Sequence, residues 1–349
     1  MNSRSERFTR RDFLRTSSLT LLGVACAPVL WATVPEAAQV MTVTGPIPPK
    51  ELGTTLIHEH VLVDFIGATQ TGYERWDRAA VVTKVLPYLE ELKARGCRTL
   101  LECTPAYLGR DPRLLRELAE RSGLHLLTNT GYYGASDNKY LPPHAFTESA
   151  DQLAARWIGE WERGIEATGI RPGFLKTSVS PGPLSPLHEK LIRAAARTHR
   201  QTGLTIVSHT GPGEPAFQQL TILREEGVDP SAFVWTHAQN EPDGAQHVAA
   251  ARQGAWVSLD GVADDNVADY VARLAVLKKA GVLHRVLLSH DAGWYRPGEP
   301  DGGEFRPYTA IFDRLLPLLT QQGFRSADRR QLLERNPAEA YAVQKRLLR

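Results

Sequence analysis

Six side chains able to hold a divalent metal recur at comparable points of the chain. They are His58 and His60 in "GTTLIHEHVLVDF" (53–65), Lys176 in "GFLKTS", His209 in "LTIVSH", His237 in "FVWTH" and Asp291 just after "RVLLSH". His58 and His60 sit one residue apart in an apolar run. Side chains along a strand alternate with period two, so both histidines share one face and Glu59 takes the other. One such histidine reads as a hydrogen-bonded core residue. Two at i and i+2, joined by two more and an aspartate at matching strand ends, read as metal ligands. Neutral imidazole completed by a carboxylate suits Zn, Mn, Fe or Co. Lys176 needs separate treatment, because an ammonium repels a cation. Reaction with CO₂ would make it an N6-carboxylated, anionic group able to bridge two metals. The alternative is a lysine paired with a carboxylate inside the fold.

Positioning these groups requires a repeating scaffold. From residue 50 onward short apolar runs alternate with longer amphipathic ones. The expected strands are 54–60, 98–103, 125–130, 173–178, 204–209, 233–237, 255–260 and 285–290. Between them lie helical patterns such as "AAVVTKVLPYLEELKARG" (79–96), several ending in Gly, a C-terminal cap signal. Strand–helix units repeated eight times in about 290 residues predict an α/β fold, a closed (β/α)8 TIM barrel rather than an open sheet. No G-x-G-x-x-G follows the first strand, which argues against a dinucleotide fold. In such barrels chemistry gathers at the C-terminal strand ends, where all six candidates fall. The same parity turns His290 away from the site and puts His125 at the wrong end of its strand. His144, His188, His199, His247 and His284 fall in loops or helices and are expected to be structural or solvated.

The first forty residues have another character. "TRRDFLR" (9–15) carries paired arginines, and "TSSLTLLGVACAPVLWA" is apolar but too short and interrupted to span a membrane. A basic segment followed by a modest apolar one reads as a signal peptide, and the arginine pair as the twin-arginine type. Residues 1–40 are therefore assigned to this signal and 41–349 to one barrel domain, with cleavage near Ala38 and a periplasmic or secreted destination. Gly23 stands where a lipobox wants an aliphatic residue, which argues against lipidation of Cys26. Three cysteines are too few for a disulfide framework, and Cys97 and Cys103 read as small buried hydrophobes. A formal net charge of +2, with no like-charge block, gives no sign of a nucleic-acid partner, and none is expected.

Taken in order, "GTTLIHEH", "FLKTS", "IVSHTG", "WTHAQNE" and "LLSHD" resemble the phosphotriesterase-like group of the amidohydrolase superfamily. "GRDPRLL", "TNTGYY" and "LLERNPAEAY" extend the resemblance over residues 50–342. It implies an amidohydrolase-type barrel with a binuclear centre: one metal on His58, His60 and Asp291, the other on His209 and His237, bridged by carbamylated Lys176 and a hydroxide. That hydroxide would attack a carbonyl or phosphorus centre, with Asp291 accepting its proton. Tyr133 matches the tyrosine that, in lactonases of this group, reaches toward the metals, although Tyr132 beside it is also a candidate. Trp294 and Tyr295 are expected in the substrate pocket or packing the loop after strand eight.

"HAQNEPD" departs from the H-x-D-x run usual in the group, and the loop 263–266 is short, so the substrate is less defined than the metals. A lactone or related carboxylic ester is expected, with an organophosphate triester as the alternative and a homodimer as an expected assembly. No G-x-S-x-G occurs, which removes the serine-hydrolase class. A non-catalytic exported binding protein on a degenerate barrel would have lost ligands, whereas all six positions are filled. Metal binding without turnover of any ester would favour it.

Overall fold

The structure, a computed structural model, describes residues 38–349, which fall in one compact unit. The signal-peptide and Cys26 expectations lie outside the described residues. Among those described, no helix is long and apolar enough to cross a membrane.

Eight parallel strands follow one another around a barrel: β1 (Thr55–Leu62), β2 (Thr99–Glu102), β3 in two pieces (His125–Leu127 and Asn129–Thr130), β4 (Phe174–Ser178), β5 (Ile206–His209), β6 (Phe233–Thr236), β7 (Trp256–Leu259) and β8 (Val286–Leu288). The break in β3 joins a run ending on β1 to a run ending on β8. The ring closes where Asp291 N donates to His58 O at 3.0 Å and His60 N donates to Ala292 O at 2.9 Å. A short strand, Gly293–Tyr295, pairs with β1 above this closure. Helices α1 (Arg78–Ala94), α2 (Pro112–Ser122), α3 (Ala150–Arg163), α4 (Pro186–Thr202), α5 (Gly213–Glu225), α6 (Gly244–Arg252) and α7 (Val267–Lys279) fill the crossovers. Their boundaries follow local chemistry. The Asp111 carboxylate accepts from Arg113 N and Leu114 N at the start of α2, and Gly123 at φ 70° ends it in the left-handed region.

Burial separates two apolar layers. Leu56, Val61, Leu100, Leu126, Leu175 and Ile206 belong to the layer packed against the helices. Ile57, Leu101, Leu127, Phe174, Val207 and Trp256 fill the barrel interior above a floor made by Val40, Leu52 and Tyr341. Strict alternation after Ile57 would turn His58 outward. Instead the pairing of β1 with β2 slips by one residue: Leu56 faces Leu100 and Glu59 faces Glu102. This bulge lets Ile57 and His58 both face inward, after which alternation resumes through Glu59 and His60. The strand-parity expectation for His58, Glu59 and His60 therefore holds, with a bulge just before it that the apolar pattern did not reveal.

Candidate metal centre

His58 and His60 rise from β1, Lys176 from the middle of β4 and His209 from the last residue of β5. His237 and Asp291 lie just past β6 and β8, both in the left-handed region at φ 58° and 53°. Non-glycine residues held there are strained, and such strain gathers at functional sites. All six line one cavity of about 130 Å³ at the barrel mouth. His60 Nε2 lies 3.1 Å from Asp291 Oδ1, and His58 Nε2 3.8 Å from the same oxygen. The His209 and His237 rings are 4.4 Å apart, and those of His58 and His237 4.9 Å. Nitrogen and oxygen donors of His58, His60 and Asp291 fall within 4.8 Å of one another, a spacing that fits a shared cation.

Asp260, which sequence reasoning passed over, organises this set. It follows β7 and is fully buried. Its carboxylate accepts from His58 Nδ1 at 3.0 Å, His237 Nδ1 at 2.8 Å, Ser258 Oγ at 2.7 Å and Gln239 Nε2 at 3.1 Å. Both histidines are thereby fixed in the tautomer that leaves Nε2 unprotonated and facing the cavity. His60 is held through Nδ1, 2.7 Å from Thr104 Oγ1. A signal for Asp260 was available, since "AWVSLD" ends in a carboxylate at the same end of the barrel.

The electrostatics fit ligand work. Burial and the nearby Lys176 charge hold His58 down at about 4, so its imidazole is neutral at pH 7. Burial, with His237 and Lys176, pushes His209 well below its usual range. Burial opposes ionisation of Asp260, but His237 and His58 outweigh it and keep the carboxylate charged. Burial likewise opposes ionisation of Asp291, and the hydrogen bond from His60 with the field of His58 keeps it anionic. For His237, burial is outweighed by Asp260, which raises its pKa.

Lys176 is 1% exposed and donates from Nζ to His58 Nε2 at 3.2 Å. Among the described residues it forms no ion pair with a carboxylate, so the alternative of a carboxylate-paired lysine is not what the fold builds. Tyr133 reaches the centre, its Oη 3.2 Å from His209 Nδ1. Tyr132 turns away, its Oη 2.9 Å from His144 Nε2. Trp294 lines the cavity, with its ring 5.9 Å from that of His60. Tyr295 does not. The next residue of a strand points the other way, and its ring packs over Gly302 instead. His290 faces outward to Glu59 at 2.7 Å, and His188, His199 and His247 are satisfied by backbone carbonyls.

The phosphotriesterase family model matches residues 38–341. The chain belongs to the phosphotriesterase family. It is 30% identical to the phosphotriesterase homology protein of Escherichia coli (strain K12), over 83% of this chain and 98% of that one. It is 26% identical to an aryldialkylphosphatase of Saccharolobus solfataricus, over 85% of this chain and 97% of that one. A solved structure of a phosphotriesterase-like lactonase variant from Deinococcus radiodurans superposes with a TM-score of 0.77 at 31% identity, covering 86% of this chain and 99% of that one. As a phosphotriesterase-family (β/α)8 barrel, the chain is a hydrolase acting on ester bonds.

Proposed function

We propose that this hydrolase opens a lactone or related carboxylic ester using two divalent cations at the barrel mouth. His58, His60 and Asp291 would hold one and His209 and His237 the other, with N6-carboxylated Lys176 between them. The observation that carries the reading is Lys176 itself: a buried amine facing an imidazole with no carboxylate partner. A bare ammonium there is costly to bury unpaired, whereas a carbamate would give the histidine cluster an anionic oxygen donor. When bound, the cations supply Lewis-acid polarisation and a water whose pKa falls from about 15.7 to about 7.

The rest belongs to the chain. Asp291, kept anionic by His60, is placed to accept a proton at its carboxylate. Burial raises the Tyr133 phenol, so it stays protonated and can donate to a substrate oxygen near His209. Val63, Phe65, Leu108, Tyr140 and Trp294 form an apolar wall that excludes water and receives the organic part. Among the described residues no charged side chain lines the cavity apart from Lys176, Asp291 and the histidines, which favours an uncharged substrate. A phosphotriester is also uncharged and is the second reading, favoured by the aryldialkylphosphatase relative. The Arg10–Arg11 pair supports export by the twin-arginine route.

The test is kcat/KM on lactones of graded size beside one activated phosphotriester, with the metal-loaded protein. A lactone advantage of several orders of magnitude is expected. The reverse order would make phosphotriester hydrolysis the function.

A further inference from the structure

The barrel closes at a seam that no strand ladder spans. β8 pairs with β7, and the short strand Gly293–Tyr295 with β1, but among the described residues no ladder joins β8 to β1. The candidate ligands of one cation sit on either side of this seam. His58 and His60 belong to β1, and Asp291 to the segment 289–292 that leaves β8. Side chains stitch the two edges together. His58 N donates to Ser289 Oγ at 2.9 Å, and the Glu59 carboxylate, 0% exposed, reaches across from β1. Its Oε1 accepts from Ser289 Oγ at 2.7 Å, His290 N at 2.9 Å and His290 Nδ1 at 2.7 Å. Its Oε2 accepts from Ala292 N at 2.9 Å.

The direction of each bond is fixed locally. Ser289 Oγ already accepts from His58 N, so its hydroxyl proton goes to Glu59. His290 Nε2 accepts from Ile311 N at 3.0 Å, which leaves the ring proton on Nδ1. Four donors therefore converge on one carboxylate, and they come from residues on both sides of Asp291.

Two observations separate this arrangement from packing. Leu56 and Val61 of the same strand belong to the layer against the helices, where aliphatic side chains suffice. A carboxylate is costly to bury there, and among the described residues no lysine or arginine pairs with Glu59. Asp291, moreover, is held at φ 53°, a conformation that a non-glycine residue keeps only where its surroundings over-determine it. Its N donates to His58 O at 3.0 Å and its O accepts from Arg306 Nη1 at 3.0 Å. Glu59 fixes the N–H groups before and after it. The result is a side chain whose Oδ1 lies 3.1 Å from His60 Nε2.

We propose that Glu59 is a positioning residue, which clamps the segment 289–292 to β1 so that Asp291 meets His58 and His60 as one set of donors. His290, held in turn by Ile311 N, braces the Glu59 carboxylate from behind. The inference rests on the two-cation reading above for what Asp291 binds, and on nothing about the substrate.

A double-mutant cycle on zinc affinity tests it, on the full protein freed of metal and titrated in bicarbonate against a chromophoric chelator. Glu59→Gln keeps the shape but places an amide donor among N–H groups. It should raise the free zinc needed for half-loading by about 10–100-fold, the usual loss when a partner that orients a ligand is removed. In an Asp291→Ala background the same substitution should change that concentration by less than about twofold, because the group it positions is gone. Unfolding in denaturant, followed on the same four proteins, reads any general loss of stability separately. Where Glu59→Gln does not fold, His290→Gln takes its place in the cycle. It keeps an acceptor for Ile311 N, removes the donor to Glu59, and should weaken zinc by about threefold or more only when Asp291 is present. Wild-type affinity in these variants, or the same loss with and without Asp291, would overturn the positioning role and leave the two-cation reading intact. A wild type that takes up no zinc would overturn both. A wild type that binds zinc but opens no lactone would count against the substrate alone, and the cycle would still decide.

Discussion

The two ends of the barrel use buried histidine in opposite ways. At the floor, His199 spends both ring nitrogens on the fold: Nδ1 donates to Leu204 O at 2.8 Å and Nε2 accepts from Arg346 N at 2.9 Å. This ties the C-terminal segment beneath β5, where the Arg346 guanidinium also caps the carbonyls of Glu339, Ala340 and Ala342. At the mouth, His58 and His237 are anchored through Nδ1 on Asp260 and turn Nε2 toward the cavity, where that of His58 accepts from Lys176. Burial depresses both His199 and His58 to about 4, so burial alone does not mark a ligand. The nitrogen turned to the cavity does. A buried imidazole with both nitrogens spent on backbone groups is architecture, and one anchored by a carboxylate with the other nitrogen facing a cavity is poised for a metal.

The largest effect should come from breaking the anchor at the mouth. Asp260→Asn presents two histidines with a weaker acceptor that can itself donate. Loss of one such partner commonly costs 10–100-fold in metal affinity, and here two ligands share it. Metal content by elemental analysis should fall below one per chain and kcat/KM by about a thousandfold, with the fold retained by circular dichroism. An Asp260→Asn protein with full metal and full rate would show that the anchor is dispensable.

The floor should respond to pH and not to metal. Unfolded His199 takes its proton near 6.5 and the folded one near 4, so between those values the unfolded chain binds more protons. The stability due to a neutral His199 is complete above pH 6.5 and is lost as pH falls toward 4, about 3 kcal/mol in all. His199→Ala should be less stable than wild type at pH 7.5, at unchanged kcat/KM, and that gap should narrow toward pH 4 in denaturant titrations. A constant gap would remove His199 from the acid response.

Spacing made the candidate ligands readable, and the limits of spacing mark what was missed. His58 and His60 declared themselves by an i, i+2 repeat in an apolar run, and Lys176, His209, His237 and Asp291 by closing strands at the same end. The eight-strand order followed from the alternation of short and long apolar patterns. Asp260 was hidden because it touches ligands and not the cavity, so its role depends on where two other rings turn. The bulge at Ile57–His58 leaves no trace in the sequence, because Leu56, Ile57 and His58 are all buried whichever way they face. Trp294 and Tyr295 could not be told apart because their faces depend on a three-residue strand and on Trp294 lying at φ 79°.

Smaller effects sharpen the comparison within the mouth. Tyr133→Phe removes a hydroxyl beside His209 but no ring, and kcat/KM on the best ester should fall by less than about tenfold, one hydrogen bond contributing roughly 0.5–1.5 kcal/mol. A thousandfold loss would make Tyr133 part of the essential machinery. Tyr295→Phe should leave both kcat and KM within twofold of wild type, because its ring packs on Gly302 outside the cavity. A changed KM would return Tyr295 to the substrate pocket.

The central claim is that the nitrogens turned to the cavity at the mouth, with Asp291 and a modified Lys176, hold a pair of metals that hydrolysis needs. Metal stoichiometry and lactone turnover, measured side by side on wild type and Lys176→Ala after loading with Mn or Zn in bicarbonate, test it most directly. The account predicts two equivalents and active wild type, and in the variant fewer metals with turnover reduced at least a hundredfold. A Lys176→Ala protein that binds two metals and hydrolyses at the wild-type rate would contradict it.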